Sequence, residues 1–181
     1  MRIKFAPMLP VALLVVTQAF AFPGMMKHKP GATATLHTSD GKDAGTATFT
    51  QKGTDAVTVK LKLENLSPGE HGVHIHAKGV CDAPDFKSAG GHFNPAGKQH
   101  GFENSNGHHN GDLPKNVTVG ADGKATASFL VQNLSLAPDA TDSLLANGGT
   151  SIMVHEKADD MKTDPSGASG NRVACGVIAA P

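Results

Sequence analysis

Short segments of this chain alternate apolar and polar residues with a period of two, and Gly, Asn, Asp and Pro fall between them. Ala56–Leu63 carries the pattern most plainly, with Val57, Val59, Leu61 and Leu63 alternating with Thr58, Lys60 and Lys62. Successive side chains of a strand point to opposite faces, so this spacing predicts a strand with one buried and one wet face. The same reading predicts strands over Ala32–Thr38, Gly45–Gln51, Gly72–Ala77, Asn116–Val119, Ala125–Val131, Thr150–Val154 and Arg172–Ala179. Ala121-Asp122-Gly123 supplies a turn between two of them. No stretch beyond the N-terminus has the spacing of an amphipathic helix. Eight short strands in one chain predict an all-β sandwich or closed barrel.

Two connections in this scheme are unusually long, one from Lys78 to Lys115 and one from Glu156 to Asn171. Loops of that size in a compact domain are usually functional or disordered. The first is rich in His, Gly and Asn and poor in apolar residues, so its backbone needs something else to hold it in place. A bound metal would do so.

The N-terminus departs from the β pattern. Arg2 and Lys4 precede an apolar run that ends at Ala19-Phe20-Ala21, a small-x-small cleavage pattern. Pro7 and Pro10 interrupt that run, and it is short for a membrane span. Residues 1–21 therefore read as a secretory signal peptide. Residues 22–30 read as a flexible end, in which Met25-Met26-Lys27-His28 could meet stray metal. Residues 31–181 form a single domain, expected to be free of the membrane once the leader is removed. Without Arg2 and Lys4, 14 basic residues face 16 acidic ones, and the chain has no Trp, no Tyr and no basic block. Nucleic-acid binding is thereby disfavoured. The two cysteines, Cys81 and Cys175, leave none over, and in an oxidising compartment such a pair forms one disulfide.

Chemistry concentrates in the histidines. Seven of the ten lie between His71 and His109. His74 and His76 are two apart in a strand-like stretch, so both rings face the same way while Val73 and Ile75 face the core. Gly90-Gly91-His92-Phe93-Asn94-Pro95 places one His between a flexible pair and a Pro-bounded turn. His100 and His109-Asn110-Gly111-Asp112 follow. Three imidazoles and a carboxylate make a closed tetrahedral zinc set with no position left for water, which suits a structural ion. Met153-Val154-His155-Glu156 brings one more His at a strand end.

The stretches HGVHIHAKGVCDAP, SAGGHFNPAGK, HHNGDLPKN, VHEKADD and GNRVACGVI together resemble the copper–zinc superoxide dismutases. The likeness runs in the family's order from about Gly31 to Ile178. It implies an eight-stranded antiparallel Greek-key barrel, related to the immunoglobulin-like sandwiches among which these enzymes are themselves counted. It implies copper held by His74, His76, His92 and His155, and zinc held by His92, His100, His109 and Asp112, with His92 bridging the two as imidazolate. His108 precedes the aspartate by four residues rather than three and falls outside the pattern as a solvent-facing neighbour. His71 corresponds to a packing residue, and His28 and His37 match nothing. Asp159 resembles the carboxylate that receives hydrogen bonds from one copper and one zinc histidine, here His74 and His100. Cys81 and Cys175 match the family's disulfide. Arg172 matches the guanidinium that draws superoxide to the copper, with Lys157 and Lys162 as candidates for longer-range steering.

The activity so implied is disproportionation of superoxide to dioxygen and hydrogen peroxide, with His92 carrying a proton during turnover. The leader then points to a bacterial periplasm, with a eukaryotic secretory route as the alternative, and the assembly to a monomer or homodimer. The alternative function on the same fold is a copper-binding or buffering protein without turnover. That reading expects an eroded site, whereas every ligand position, both cysteines and Arg172 are present.

Overall fold

A computed structural model of the chain describes Met1 and residues 31–181. Apart from Met1, the expected leader over residues 1–21 and the end over residues 22–30 lie outside the described residues.

Among the described residues, alternation of apolar and polar side chains becomes nine strands: β1 (Gly31–Thr38), β2 (Asp43–Lys52), β3 (Ala56–Leu63), β4 (Gly69–His71), β5 (Val73–His76), β6 (Val117–Val119), β7 (Ala125–Gln132), β8 (Ser151–His155) and β9 (Arg172–Val177). Seven of them form one antiparallel sheet in the order β5-β8-β9-β1-β2-β3-β7, and β4 pairs with β6 in a second. Because β3 neighbours β7 rather than β4, the chain crosses over before it returns, and its last strand pairs with its first. The result is a curled antiparallel sheet. Its inner face is packed with Leu36, Phe49, Val59, Leu61, Ile75, Ile152 and Val154, all nearly inaccessible.

The count of nine rather than eight comes from Gly72. The stretch over Gly72–Ala77, expected as one strand, yields only β5, while β4 forms ahead of it in the other sheet. Gly72 sits between them with its N–H bonded to the Lys157 carbonyl and its own carbonyl accepting from the His155 N–H, both at 2.8 Å. A Cβ there would lie 3.1 Å from the side chains of Asp159 and Ser169, a tight contact that glycine avoids. The chain thus changes sheet at the point where the second long loop touches it.

Both expected long loops are present, between β5 and β6 and between β8 and β9. A third long connection, beyond the two expected, runs from Asn133 to Thr150. Leu134, Leu136 and Leu144 bury themselves in the core and tie it down.

Candidate metal centre

β5 presents His74 and His76 on one face, each about 1% exposed. They are buried because the β5–β6 loop doubles back along this strand. Ala77 donates to Gly91, Phe93 donates to Ile75, and Ile75 donates to Gly111, at 2.8 to 2.9 Å. These bonds place His92 opposite His76 and Asp112 opposite His74. Gly111 fits because any Cβ there would overlap the Ile75 carbonyl. His155 arrives from the far side, at a bulge where β8 slips against β9, and that slip sets it directly across from Arg172.

Six histidines and one aspartate meet here in two adjoining groups. In the first, ring nitrogens of His74, His76, His92 and His155 lie within 4.8 Å of one another. His76 turns Nδ1 to the Gly90 carbonyl at 2.9 Å, so that nitrogen carries the proton and Nε2 faces His155 Nε2 at 3.4 Å with a lone pair. His74 gives Nε2 to Asp159 at 2.7 Å, which leaves Nδ1 turned inward. In the second group, Asp112 Oδ1 lies 2.8 Å from His92 Nδ1, 3.0 Å from His100 Nδ1 and 3.4 Å from His109 Nδ1. His109 Nδ1 is also 3.3 Å from His92 Nδ1. His92 therefore turns one nitrogen to each group. His74 also falls within reach of the second group, but its one inward nitrogen is already shared with the first.

Asp159 lies behind both groups and receives His74 Nε2 at 2.7 Å and His100 Nε2 at 3.0 Å. Its backbone N–H and carbonyl are both bonded to the Asn116 side-chain amide, at 2.8 and 2.9 Å. Gly167 presses on the same point with φ of 62°, and a methyl there would overlap both Asp159 Oδ1 and His100 Nε2.

Burial sets the charge state of the first group. Desolvation pushes His76 down to about 2, His92 to about 4 and His155 to about 3, in each case with help from neighbouring imidazoles. These rings stay neutral and keep a lone pair for a metal. His100 goes the other way. Burial alone would lower it, but hydrogen bonds and charge from Asp112 and Asp159 raise it to about 9. Burial likewise tends to raise both aspartates, and the histidine hydrogen bonds overcome this, holding Asp112 and Asp159 well below the usual carboxylate range.

A cavity of about 420 Å³ opens onto His76, His92 and His155, walled by Gly91, Asn94, Pro165 and Ser166. Arg172 is the single Lys or Arg side chain lining it among the described residues, and Lys157 and Lys162 are not among the lining residues. The guanidinium is fixed by bonds to the Phe86 and Gly90 carbonyls at 2.7 and 2.6 Å. Both acceptors lie in the loop that the Cys81–Cys175 disulfide ties to β9.

His109 rather than His108 points inward. His108, expected to face solvent, is half-buried and stacks on Phe102 with ring centroids 3.9 Å apart. His71 is buried between the Ser67 and His155 carbonyls at 2.8 and 2.7 Å, a packing role as expected. Exposed His37 lies on β1 across from Cys175 and takes no part, while His28 lies outside the described residues. Sequence reasoning missed Asn116, Gly167 and the carbonyls of Phe86 and Gly90. The Gly90-Gly91 pair beside His92 was the one signal for any of them.

A curled antiparallel sheet in which β5, β8 and the β5–β6 loop bring six imidazoles and a carboxylate about adjacent points defines a β-barrel protein with two side-chain groups that could each hold a metal ion. The family described as copper/zinc superoxide dismutase matches residues 43–178, and the chain belongs to that family. "Superoxide dismutase [Cu-Zn]" of Caulobacter vibrioides is 47% identical over 149 residues, covering 81% of this chain and 84% of that one. "Superoxide dismutase-like protein YojM" of Bacillus subtilis is 42% identical over 77% of this chain and 71% of its own length. The crystal structure of a SOD-like protein from Bacillus subtilis superposes with a TM-score of 0.77 at 40% identity, covering 81% of this chain and 97% of that one.

Proposed function

We propose that this chain is an exported copper/zinc superoxide dismutase, with copper held by His74, His76, His92 and His155 and zinc held by His92, His100, His109 and Asp112. The observation that carries the reading is a pair of orphaned atoms. His74 Nδ1 and His92 Nε2 are buried and have no hydrogen-bond partner among the described residues. A buried polar atom left unpaired costs about 1–3 kcal/mol, and a soft divalent ion among imidazoles removes that cost. His109 takes the fourth zinc position because its Nδ1 faces both His92 Nδ1 and Asp112 Oδ1.

When bound, the copper supplies the one-electron couple that converts one superoxide to dioxygen and a second, with two protons, to hydrogen peroxide, while zinc orders the loop. The protein's own residues do the rest. Arg172, a fixed cation at the mouth, draws in and orients the small anion. The cavity walled by Gly91, Asn94, Pro165 and Ser166 gives the anion a way to His76, His92 and His155. His92 can hold at Nε2 one of the protons the reaction consumes. Asp159 fixes the orientation of His74 and His100 from behind.

Export rests on the leader pattern of residues 1–21 and on the disulfide, which is of a kind that persists in an oxidising compartment such as the bacterial periplasm. The relatives named above are bacterial. On this reading residues 31–181 are the functional domain, acting alone or as a homodimer. The test is superoxide consumption by the mature protein loaded with copper and zinc, beside His155→Ala. Fast turnover that collapses in the variant is the expected result. Stoichiometric copper uptake with no turnover would leave a copper-buffering protein on the same fold.

A further inference from the structure

We infer that Asp164 is a second outer carboxylate on the zinc side, which positions His100 through its backbone N–H and His109 through a charge facing its ring at ion-pair distance. The inference rests on the metal assignment above. Asp164 belongs to the β8–β9 loop, whereas His100 and His109 belong to the β5–β6 loop. Its Oδ1 accepts the backbone N–H of His100 at 2.7 Å. The same oxygen lies 3.8 Å from His109 Nε2, the nitrogen turned away from Asp112. Among the described residues no other carboxylate comes within ion-pair reach of that nitrogen.

The zinc-side group therefore has a regular plan. The near nitrogens of His100 and His109 converge on Asp112 Oδ1. The far nitrogen of His100 meets Asp159, and the far nitrogen of His109 looks at Asp164. A carboxylate on the far side of a ligating imidazole fixes its tautomer and ring angle and strengthens its lone pair. Backbone contacts hold Met161 and Lys162, just ahead of Asp164 in the chain. Glu103 donates to the Met161 carbonyl at 2.9 Å, and Gly101 packs against that carbonyl more closely than any Cβ would allow. The next residues, Pro165 and Ser166, wall the cavity over His92 and His155. One short run thus touches the zinc ligands behind and the mouth in front.

Two substitutions separate the ring contact from the backbone contact. Asp164→Asn keeps an oxygen that can accept the His100 N–H but removes the charge facing His109. Asp164→Ala removes both. Zinc release from the copper- and zinc-loaded mature protein to a chromophoric chelator gives the rate, and the ring 15N signals of His109 give its tautomer and hydrogen bonding. The expected result is zinc loss on the order of 10- to 100-fold faster in both variants, the scale for outer partners of metal ligands. The His109 signals shift in both, and copper retention stays at the level of the unsubstituted protein. If Asp164→Asn matches the parent in rate and signals while Asp164→Ala does not, the carboxylate is only a tether for the His100 backbone and the inference fails. It fails equally if both variants match the parent. A parent protein that takes up no zinc would instead overturn the metal assignment itself.

Discussion

His100 is the histidine at this site that two carboxylates hold charged. In protein stripped of metal its value of about 9 keeps a proton on it at neutral pH, whereas His76, His92 and His155 are neutral there. Zinc needs the lone pair on Nδ1, so uptake must expel that proton. Between pH 7 and 8 zinc binding to the stripped protein should release about one proton per ion and its apparent affinity should rise about tenfold per pH unit, both effects fading as pH passes through about 9. Copper binding to protein that holds no zinc should release essentially none. Calorimetric titration in buffers of different ionisation enthalpy reads both, and equal proton release by the two ions would contradict the assignment. The same crowding makes Gly167 irreplaceable. Gly167→Ala adds a methyl where Asp159 and His100 already meet, at a φ of 62°. The variant should lose at least about 1–3 kcal/mol of stability and release zinc faster than the parent, checked by thermal unfolding and chelator competition.

Strand and loop divide the work of building the site. β5 needs only its alternation to set His74 and His76 side by side, and that was readable from spacing. The break at Gly72 was not, because it depends on Lys157 and His155, more than eighty residues away, accepting and donating across the gap. The loop from β5 to β6 has few apolar residues and is pinned by backbone bonds to β5, by the ligand cluster and by the disulfide. With Cys81 and Cys175 at a sequence separation of 94, a Cys81→Ser, Cys175→Ser double variant should lose about 4 to 5 kcal/mol in the chain-entropy account. It should also free the Phe86 and Gly90 carbonyls that hold Arg172, so activity should fall by more than the loss of folded protein explains. Denaturant unfolding and turnover on the same samples separate the two effects.

Charge over the full chain is balanced, with 16 basic and 16 acidic residues, so no strong overall field draws an anion in. Attraction has to be local, and Arg172 is the Lys or Arg that the fold places at the cavity. Turnover should fall several-fold as ionic strength rises from about 0.01 to 0.15 M, where the screening length drops from about 30 to 8 Å. Arg172→Ala should be slower at low salt and nearly flat across the same range. A variant that keeps the full salt dependence would move the steering to other cations.

Alternation was enough to determine the all-β class, and a chain with two cysteines could form one disulfide between them and no other. The period of two is a local fact, whereas the full set of site residues followed from the resemblance of five separate stretches to one family and not from His-x-His or His-x-x-Asp spacing alone. The extra strand at Gly72, the anchored third loop, the stacking of His108 on Phe102 and the contacts of Asn116, Asp164 and Gly167 belong to the tertiary structure. Each depends on segments far apart in the chain arriving at one place, and a polar or glycine residue in a loop carries no periodic signal of the partner it will meet.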